Sequence, residues 1–301
     1  MKIGINSGAA SGPETTIDGL IERAQSMEKL GFDCFWMAHM FGLDAMTALA
    51  LVGQQTSTIK LGTAVVPSYP RHPLVMAQQA ATTNAASKGR FTLGIGLSHK
   101  PIIEGMFGLD YSKPARHMDE YLQILAPALN KEKVDFSGER YKARGQIAVP
   151  ESASVPLVVA ALGDAMLKLA GTYADGTITW MTGPKTLEQH IIPKLRLAAE
   201  AAGRPLPRIV AGIPTAIVSD KDSATARINK GMKMYGQLDS YRAMLDREGA
   251  DGPTDIAFVG DEAELRRKIQ RLRDIGVSDL NCAILGVGDH DTTAQFLASE
   301  L

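Results

Sequence analysis

The chain of 301 residues has only two cysteines, no long apolar run and no excess of charge of either sign. Because Cys34 and Cys282 lie far apart in apolar stretches, we expect reduced core thiols and a cytoplasmic protein. No apolar run approaches the ~18 residues of a membrane-spanning helix, and residues 1–12 lack the charged and apolar regions of a secretory signal. The 32 basic and 33 acidic side chains are balanced, which argues against nucleic acid as a partner.

The sequence also lacks the short motifs of common hydrolases and nucleotide-binding proteins. It contains no HExxH, CxxC, GxSxG or GxxxxGK[ST], and its six histidines are scattered without the spacing of metal ligands. Only GxG fragments occur, at residues 94–96 and 286–288, in place of a Rossmann fingerprint. We therefore expect no metal site, and we expect an organic cofactor to carry the chemistry.

Eight short β-rich runs alternate with longer amphipathic helical patterns. Several runs are apolar on both faces, as in a covered parallel sheet; they span residues 2–6, 33–37, 60–66, 91–96, 157–161, 177–180, 208–218 and 279–285. One clear helix is predicted from a cap at Thr15 to Gly31, and another from Asp261 to Gly276. Eight such units favour a closed α/β fold, the (β/α)8 TIM barrel, over a doubly wound sheet of five or six strands.

Two gaps between predicted strands are longer than the roughly 30 residues of one βαβ unit. The first, about 101–156 after the fourth strand, contains a predicted hairpin with strands at 134–136 and 140–142. The second, about 219–260 after the seventh strand, is polar and predicted to be helical. Neither resembles a domain linker, so we predict one domain over residues 1–301 with two insertions.

In a TIM barrel the active site lies at the carboxyl ends of the strands, and few ionisable groups occur there in this sequence. The turn Gly163-Asp164-Ala165-Met166 follows the fifth strand and opens a helix, where free N–H groups are able to hold a phosphate. An ordinary strand-to-helix turn, with Asp164 as the helix cap, explains the same residues.

The residues Arg71-His72-Pro73 open the helix after the third strand, where proline at a first helical turn is common. The stretch that follows, at 74–86, is rich in Ala, Gln and Thr and carries no charge. Because a surface helix without charge is typical of a contact surface, we expect a partner subunit to cover it in a homodimer.

Five segments, in the same order along the chain, resemble the bacterial luciferase-like flavin oxidoreductases. They are GFDCFWMAHMF at 31–41, LGTAVVPSYPRHPLVMAQQAATTNAASKGRFTLGIGLSH at 61–99, DEYLQIL at 119–125, ALGDAMLKLAGTYADGTITW at 161–180 and FVGDEAELRRKIQRLRDIGV at 258–277. The RHP element, with KGRFTLGIG after it, is most similar to the branch that uses the deazaflavin coenzyme F420. The resemblance implies a (β/α)8 barrel with insertions and a cofactor across its carboxyl-end mouth.

The resemblance also implies individual site residues. A non-proline cis peptide bond between Ala64 and Val65 would support the cofactor ring, and the turn at 163–166 would bind its phosphate. We assign cofactor binding to His39, Ala64, Val65, Val66, Gly96, Ser98, Gly163, Asp164, Ala165 and Met166. We assign the substrate pocket to Asn6, Met40 and Trp180, although an aromatic residue at position 180 is equally consistent with core packing.

The sequence departs from the family pattern at the proton-transferring positions. Relatives often have Asp-His at the end of the second strand, where this chain has His39 and Met40. Sugar-phosphate dehydrogenase relatives have an acid at the end of the fourth strand, where this chain has His99. His39 and His99 are thus the candidate catalytic proton donors, and the alternative is that each only hydrogen-bonds the cofactor or solvent.

We therefore predict an F420-dependent oxidoreductase that transfers a hydride between the deazaflavin and a small organic substrate. One alternative is an FMN-dependent monooxygenase of the same superfamily. Another is a non-catalytic flavin-binding homodimer, which the missing Asp-His pair motivates. A barrel lyase would require a Schiff-base lysine or a metal at a strand end, and neither is evident in the sequence.

Overall fold

The strands alternate with helices along nearly the whole chain. A computed structural model describes residues 1–8 and 15–301. Its strands are β1 (Lys2–Asn6), β2 (Cys34–Met37), β3 (Lys60–Thr63), β4 (Val66–Pro67), β5 (Phe91–Gly96), β6 (Val134–Ser137), β7 (Lys142–Gly145), β8 (Leu157–Ala160), β9 (Gly176–Trp180), β10 (Arg208–Ile217), β11 (Phe258–Gly260) and β12 (Asp279–Ile284).

The helices cover the outside of these strands. They are α1 (Ile17–Lys29), α2 (Ala45–Gln55), α3 (Pro73–Ala86), α4 (Lys100–Gly105), α5 (Pro114–Leu129), α6 (Asp164–Tyr173), α7 (Pro184–Thr186), α8 (Ile192–Ala201), α9 (Lys221–Met232), α10 (Asp239–Glu248), α11 (Pro253–Ile256), α12 (Glu262–Asp274) and α13 (His290–Ser299). A π-helical turn, Leu187–Ile191, joins α7 to α8, and a 3₁₀ turn, Tyr235–Gln237, precedes α10.

Eight parallel strands close into a barrel. Their order is β1, β2, β3, β5, β8, β9, β10 and β12, and β12 pairs with β1 to complete the ring. The predicted (β/α)8 barrel is therefore confirmed. Two short strands extend the ladder beyond this ring, since β4 pairs with β5 and β11 pairs with the long β10.

The interior of the barrel is filled by the indole ring of Trp36, which is 0% exposed. The ring fits because Gly4 and Gly62 face it, and a Cβ at Gly62 would overlap the indole. Towards the amino ends of the strands, Arg208 forms a two-point ion pair with Asp279, with both N–O distances 2.7 Å. The Arg208 guanidinium also lies 5.5 Å from the centre of the Trp36 ring. These contacts block the amino end of the barrel.

The predicted helix starts are close to those observed. Asp261 caps α12 as predicted, because its side chain accepts a hydrogen bond from the N–H of Glu264 at 2.7 Å. The cap of α1 was predicted one residue too early: Thr16, and not Thr15, accepts from the N–H of Gly19. The one-residue shift follows from two adjacent threonines, either of which is able to cap.

The segment between β5 and β8 contains α4, α5 and the antiparallel hairpin of β6 and β7. The hairpin is confirmed, but its second strand begins at Lys142 and not at residue 140. The reason is the buried carboxylate of Glu120, which accepts hydrogen bonds from the N–H groups of Glu139, Arg140 and Tyr141. These bonds hold the three residues in the turn.

The segment between β10 and α12 contains α9, α10 and α11 and ends in β11. The helices agree with the predicted helical character, whereas strand β11 was missed. Its three residues lie beside the carboxyl end of β10, with Thr215 opposite Phe258. A three-residue strand has too few positions to show an alternating pattern.

Both thiols, Cys34 and Cys282, are free and buried. Burial raises the pKa of each of them, so both remain protonated at neutral pH. Within the described residues, no helix has the length and apolar character to span a lipid bilayer.

Candidate active site

The peptide bond between Ala64 and Val65 is cis, as the family resemblance predicted. It lies between β3 and β4, at the carboxyl mouth of the barrel. The N–H of Ala64 donates to the carbonyl of Met37 at 2.8 Å, and the N–H of His39 donates to the carbonyl of Val65 at 3.3 Å. We call the segment Ala64–Val65 the bulge. These two hydrogen bonds join it to the end of β2, next to His39.

Gly96, at the end of β5, lies against the other side of this bulge. A Cβ at Gly96 would approach Val65 Cγ2 at 2.8 Å and Ala160 Cβ at 3.2 Å. Ser98 follows with a φ of 60°, and its carbonyl accepts a hydrogen bond from the hydroxyl of Tyr111 at 3.2 Å. The structure thus brings Ala64, Val65, Gly96 and His39 together, and places Ser98 just beyond them.

Val66 and Asn6 have less freedom to contact a ligand than the sequence suggested. The side chain of Val66 is fully buried in the main apolar core, so only its backbone lies near the bulge. The side chain of Asn6 accepts a hydrogen bond from the N–H of Gly8 at 2.9 Å and so holds the turn after β1.

The His39 ring lies in a polar environment at the start of α2. Its Nδ1 accepts a hydrogen bond from the N–H of Ala45 at 3.3 Å and lies 3.6 Å from Asp44 Oδ2. Burial lowers the pKa of His39 and the positive charge of Arg71 lowers it further, whereas Asp44 raises it. The ring is therefore neutral at pH 7.

His99 faces a wall of aromatic side chains. The ring centre of Tyr241 lies 5.9 Å from that of His99, Tyr235 lies 5.3 Å from Tyr241, and Trp180 lies 6.2 Å from Tyr235. Burial lowers the pKa of His99, so this ring is also neutral at pH 7. Trp180 comes from the end of β9, whereas both tyrosines come from the segment between β10 and β12.

Sequence analysis missed Tyr235 and Tyr241. The available signal was the presence of two aromatic residues six positions apart in an otherwise polar insertion. An isolated large apolar side chain is unremarkable on a protein surface, which is why the signal is weak.

Helix α10, which contains Tyr241, lies across the mouth of the barrel. At its amino end Tyr241 faces His99, and at its carboxyl end the Glu248 carboxylate accepts hydrogen bonds from the N–H groups of Lys185 and Thr186. These two N–H groups belong to the first turn of α7, beyond the end of β9. The helix therefore extends from the fourth barrel strand to the sixth.

The turn predicted to bind phosphate forms the start of α6. Gly163 is the N-cap with φ −87°, and a Cβ there would meet nothing within 4 Å. In the described part of the chain, the N–H groups of Asp164, Ala165 and Met166 have no acceptor. Free N–H groups at a helix start form a ready anion site.

Asp164 does not cap the helix, which corrects that alternative. Its carboxylate is 70% exposed and lies 2.5 Å from Lys194 Nζ and 3.9 Å from His190 Nε2. The hydrogen bond from Lys194 lowers the pKa of Asp164. His190 itself contacts the carbonyl of Leu162 at 2.8 Å, so two basic groups lie beside this turn.

An apolar rim lies next to His39. Met40 is 44% exposed and Phe41 is 56% exposed, and the ring of Phe107 lies 6.1 Å from that of Phe41. No hydrogen bond joins His39 to His99 within residues 1–8 and 15–301, so the two histidines act at separate points of the mouth.

No group of three His, Cys, Asp or Glu side chains suited to a metal ion occurs among the residues that the structure describes. The ionisable groups of the mouth include two neutral imidazoles and the pair Asp44 and Arg71. Such a set is able to bind and to move a proton, and the electron chemistry requires a further group.

Comparisons with known proteins agree with this geometry. The family model described as luciferase-like monooxygenase matches residues 1–299. The 5,10-methylenetetrahydromethanopterin reductase of Methanopyrus kandleri is 30% identical over 289 residues, which is 89% of this chain and 78% of that protein.

Two solved structures share the fold. An F420-dependent secondary alcohol dehydrogenase in complex with an F420–acetone adduct aligns with a TM-score of 0.83 and 20% identity, covering 100% of this chain and 98% of that one. The oxygenating constituent of 3,6-diketocamphane monooxygenase from Pseudomonas putida, in complex with FMN, aligns with a TM-score of 0.78 and 17% identity, covering 100% and 97%. The chain therefore belongs to the luciferase-like monooxygenase family and is an enzyme of the oxidoreductase class.

Proposed function

We propose that this enzyme is an F420-dependent oxidoreductase that transfers a hydride between the deazaflavin and a small organic substrate. The observation that carries the proposal is the Ala64–Val65 bulge at the carboxyl mouth, with Gly96 on one side and His39 on the other. Support also comes from the methanopterin reductase at 30% identity and from the alcohol dehydrogenase whose structure holds an F420–acetone adduct.

The residues present fit such a cofactor at two points. Because Gly96 has no Cβ, the Val65 side chain is able to pack against the end of β5, which holds the bulge where a flat ring would rest on it. The N–H groups of Asp164, Ala165 and Met166 would hold a phosphate of the tail. Lys194, which is ion-paired with Asp164 beside this turn, offsets the negative charge of that carboxylate. When bound, the deazaflavin supplies or accepts the hydride.

The protein itself would contribute a side chain that transfers a proton and a surface that excludes water from the reacting atoms. His39 or His99 would transfer the hydroxyl proton when an alcohol is oxidised, because each ring is neutral at pH 7 and a neutral imidazole has one nitrogen that accepts and one that donates. In the reverse direction the same ring would return the proton. Trp180, Tyr235 and Tyr241 would exclude water from the reacting atoms.

The substrate would be apolar. The wall of Trp180, Tyr235 and Tyr241 and the rim of Met40 and Phe41 offer carbon surface with no charge among them. A small ketone, alcohol or unsaturated molecule without a phosphate or carboxylate fits this lining better than a sugar phosphate does.

Titration of the apoprotein with F420 and FMN side by side tests the proposal. We expect saturable binding of F420, followed by fluorescence, and weaker or no binding of FMN. Gly163→Asp serves as the matched control, since its added charge should weaken a phosphate-bearing cofactor without altering the ring site. Binding of neither cofactor would leave a non-catalytic protein and overturn the proposal.

The second candidate is an FMN-dependent monooxygenase. The observation in its favour is the FMN complex of the 3,6-diketocamphane monooxygenase component, which aligns over the whole chain at a TM-score of 0.78. Consumption of oxygen with reduced FMN, together with no turnover of reduced F420, would establish this function in place of the first.

We further propose a cytoplasmic homodimer. Helix α3 carries no charged residue, and its Val75 side chain is 54% exposed. An uncharged helix with an exposed valine is a natural surface for a second copy. Light scattering on the purified protein measures the mass directly, and Val75→Glu is expected to shift it towards that of a single chain.

A further inference from the structure

Asp44 is the best-connected carboxylate at the mouth of the barrel. One oxygen, Oδ1, accepts the N–H of Thr47 at 2.9 Å as the cap of α2, and also the side-chain amide of Gln79 at 3.2 Å. The other oxygen, Oδ2, lies 2.5 Å from Arg71 and 3.6 Å from Nδ1 of His39. A helix N-cap uses only one carboxylate oxygen, so capping does not explain the contacts of Oδ2.

Arg71 is the arginine of the RHP element. The position of this element at a helix start explains its proline but not the side chain of its arginine. Its backbone is held at two points: the N–H donates to the carbonyl of Ser68 at 3.3 Å, and the carbonyl accepts the hydroxyl of Tyr121 at 3.0 Å. The guanidinium is 19% exposed and directed at Asp44. The arginine of the motif thus reaches back to the loop that carries His39.

His39 Nδ1 faces two neighbours that favour opposite protonation states. The N–H of Ala45 donates to Nδ1, which requires a lone pair on that atom and leaves the proton of the neutral ring on Nε2. The carboxylate of Asp44 would instead attract a proton to Nδ1. Arg71, bound to the same carboxylate oxygen, offsets part of that attraction.

We propose that Asp44 and Arg71 act together as positioning residues for His39, holding Nδ1 at the start of α2 and keeping a carboxylate close enough to stabilise the protonated ring. In the resting state the Ala45 contact dominates, Nδ1 accepts and the ring hydrogen is on Nε2. Before Nε2 takes a proton from a substrate, the ring must carry its hydrogen on Nδ1 instead, where the Asp44 carboxylate is able to accept a hydrogen bond from it. The substrate proton then adds to Nε2, both nitrogens carry hydrogen, and the Nδ1–H bond to Asp44 is charge-assisted. The inference rests on the proposed function in one respect, that His39 is the proton carrier.

The charges that act on His39 agree with this arrangement. They come from Asp44 at the start of α2 and from Arg71 before α3. Burial would raise the pKa of Asp44, but the Thr47 hydrogen bonds and the Arg71 charge lower it below its ordinary value. The carboxylate is therefore ionised throughout the range in which His39 titrates.

Histidine ring NMR tests the proposal without any cofactor. Long-range ¹H–¹⁵N spectra report the tautomer and the titration midpoint of each ring, and His39→Gln identifies the signals of His39. Asp44→Asn keeps a side chain that caps α2 but removes the charge, so we expect the His39 midpoint to fall, by about half a pH unit or more. Arg71→Gln keeps a long polar side chain and should raise the midpoint by a similar amount.

The decisive result is that the His39 midpoint shifts in opposite directions in Asp44→Asn and Arg71→Gln. A purely structural role for the pair would leave both midpoints unchanged or move them in the same direction, and either outcome overturns the proposal. Asp261→Asn, the same substitution at the cap of α12, is the matched control and should leave His39 unaffected. A neutral wild-type ring with its proton on Nδ1 would equally overturn the proposal.

The pH profile of kcat/KM with F420 then separates this inference from the proposed function. If His39 carries the proton, the acidic limb of the profile should follow the NMR midpoint in both variants. If the midpoints move in opposite directions and the limb stays in place, the pair positions the ring as proposed but His39 is not the proton carrier, and the proposed function loses that step.

Discussion

The backbone N–H of His39 donates a hydrogen bond to the carbonyl oxygen of Val65, with an N–O distance of 3.3 Å. The bond joins the loop after the second barrel strand to the cis bulge that follows the third. We therefore expect a displacement of Val65 to be transmitted to His39, which would couple the bulge to the candidate proton donor.

Gly96→Ala should reveal this coupling. The new methyl group would lie 2.8 Å from Val65 Cγ2, so the bulge must shift. We expect about a tenfold loss of F420 affinity, about 1.4 kcal/mol, and a loss of stability of about 1–3 kcal/mol from overpacking. Fluorescence titration and urea unfolding measure the two effects. Gly231→Ala, where a Cβ meets nothing within 4 Å, is the control; an unchanged affinity in Gly96→Ala would remove the bulge from the cofactor site.

Two substitutions at Gly163 separate charge from shape at the start of α6. The position has an ordinary negative φ and open space around it, so both Ala and Asp should fold normally. Gly163→Asp places a negative charge beside the free N–H groups, and we expect F420 affinity to fall at least tenfold, about 1.4 kcal/mol. Gly163→Ala should change it by less than about threefold. Equal affinities in the two variants would show that the turn binds no phosphate.

Substitution of the two histidines distinguishes a proton carrier from a ligand. If His39 carries the proton, His39→Ala should lower kcat by about 10²- to 10⁴-fold with little change in the dissociation constant of F420. His99→Ala should then have the smaller effect on kcat. Steady-state kinetics and cofactor titration give both quantities, and His290→Ala is the control because His290 lies on the surface. A change in affinity alone would make the residue a ligand.

Removal of the Tyr235 ring should expose Trp180. The two rings lie 6.2 Å apart, and the other tryptophan of the chain, Trp36, is inaccessible inside the barrel. We expect Tyr235→Ala to increase the quenching of tryptophan fluorescence by acrylamide, with no ligand required. Tyr173→Ala, which removes a tyrosine from the end of α6, should not do so. Equal quenching in wild type and Tyr235→Ala would mean that Tyr235 does not cover Trp180 in solution.

The stability of the fold should depend on Glu28 in acid. Its carboxylate accepts the N–H groups of Ser57, Thr58 and Ile59. Burial raises its pKa, but these hydrogen bonds outweigh that effect and lower the pKa from 4.5 to about 2. A lowered folded-state pKa stabilises the protein above about pH 4.5, and that contribution disappears as the pH falls towards 2.

Glu28→Gln should therefore lower the free energy of unfolding at pH 7 by roughly 1–2 kcal/mol, after allowance for the partial exposure of the group. The difference from wild type should shrink between pH 4.5 and pH 2. Urea unfolding at several pH values measures it, and a difference that is independent of pH would contradict the assignment.

The eight barrel strands were predictable because their apolar, β-branched runs are bounded by turn residues and alternate with helical patterns. The strand Phe91–Gly96 coincides with its prediction, as does Lys2–Asn6. Boundaries failed where a distant side chain decided them: the Glu120 carboxylate moves the start of β7 to Lys142. Such a bond spans about twenty residues and leaves no trace in a local pattern.

The candidate site was predictable only in part, for the same reason. The cis bond between Ala64 and Val65 followed from family resemblance and is confirmed. The approach of Tyr241 to His99 depends on how α10 is anchored by Glu248 to the start of α7, sixty residues earlier in the chain. The ion pair of Arg71 with Asp44 was not predicted from the sequence, because residues 71–73 were already explained as the start of a helix.

Trp36 packs between Gly4 and Gly62 inside the barrel, so the carboxyl-end mouth is the open end. Every reactant and product must then use the same entrance. A cofactor ring held on the bulge, as proposed above, would be covered by whatever molecule arrives second. We therefore expect a compulsory order in which cofactor enters before substrate and leaves after product, so that excess substrate traps the spent cofactor and slows its exchange.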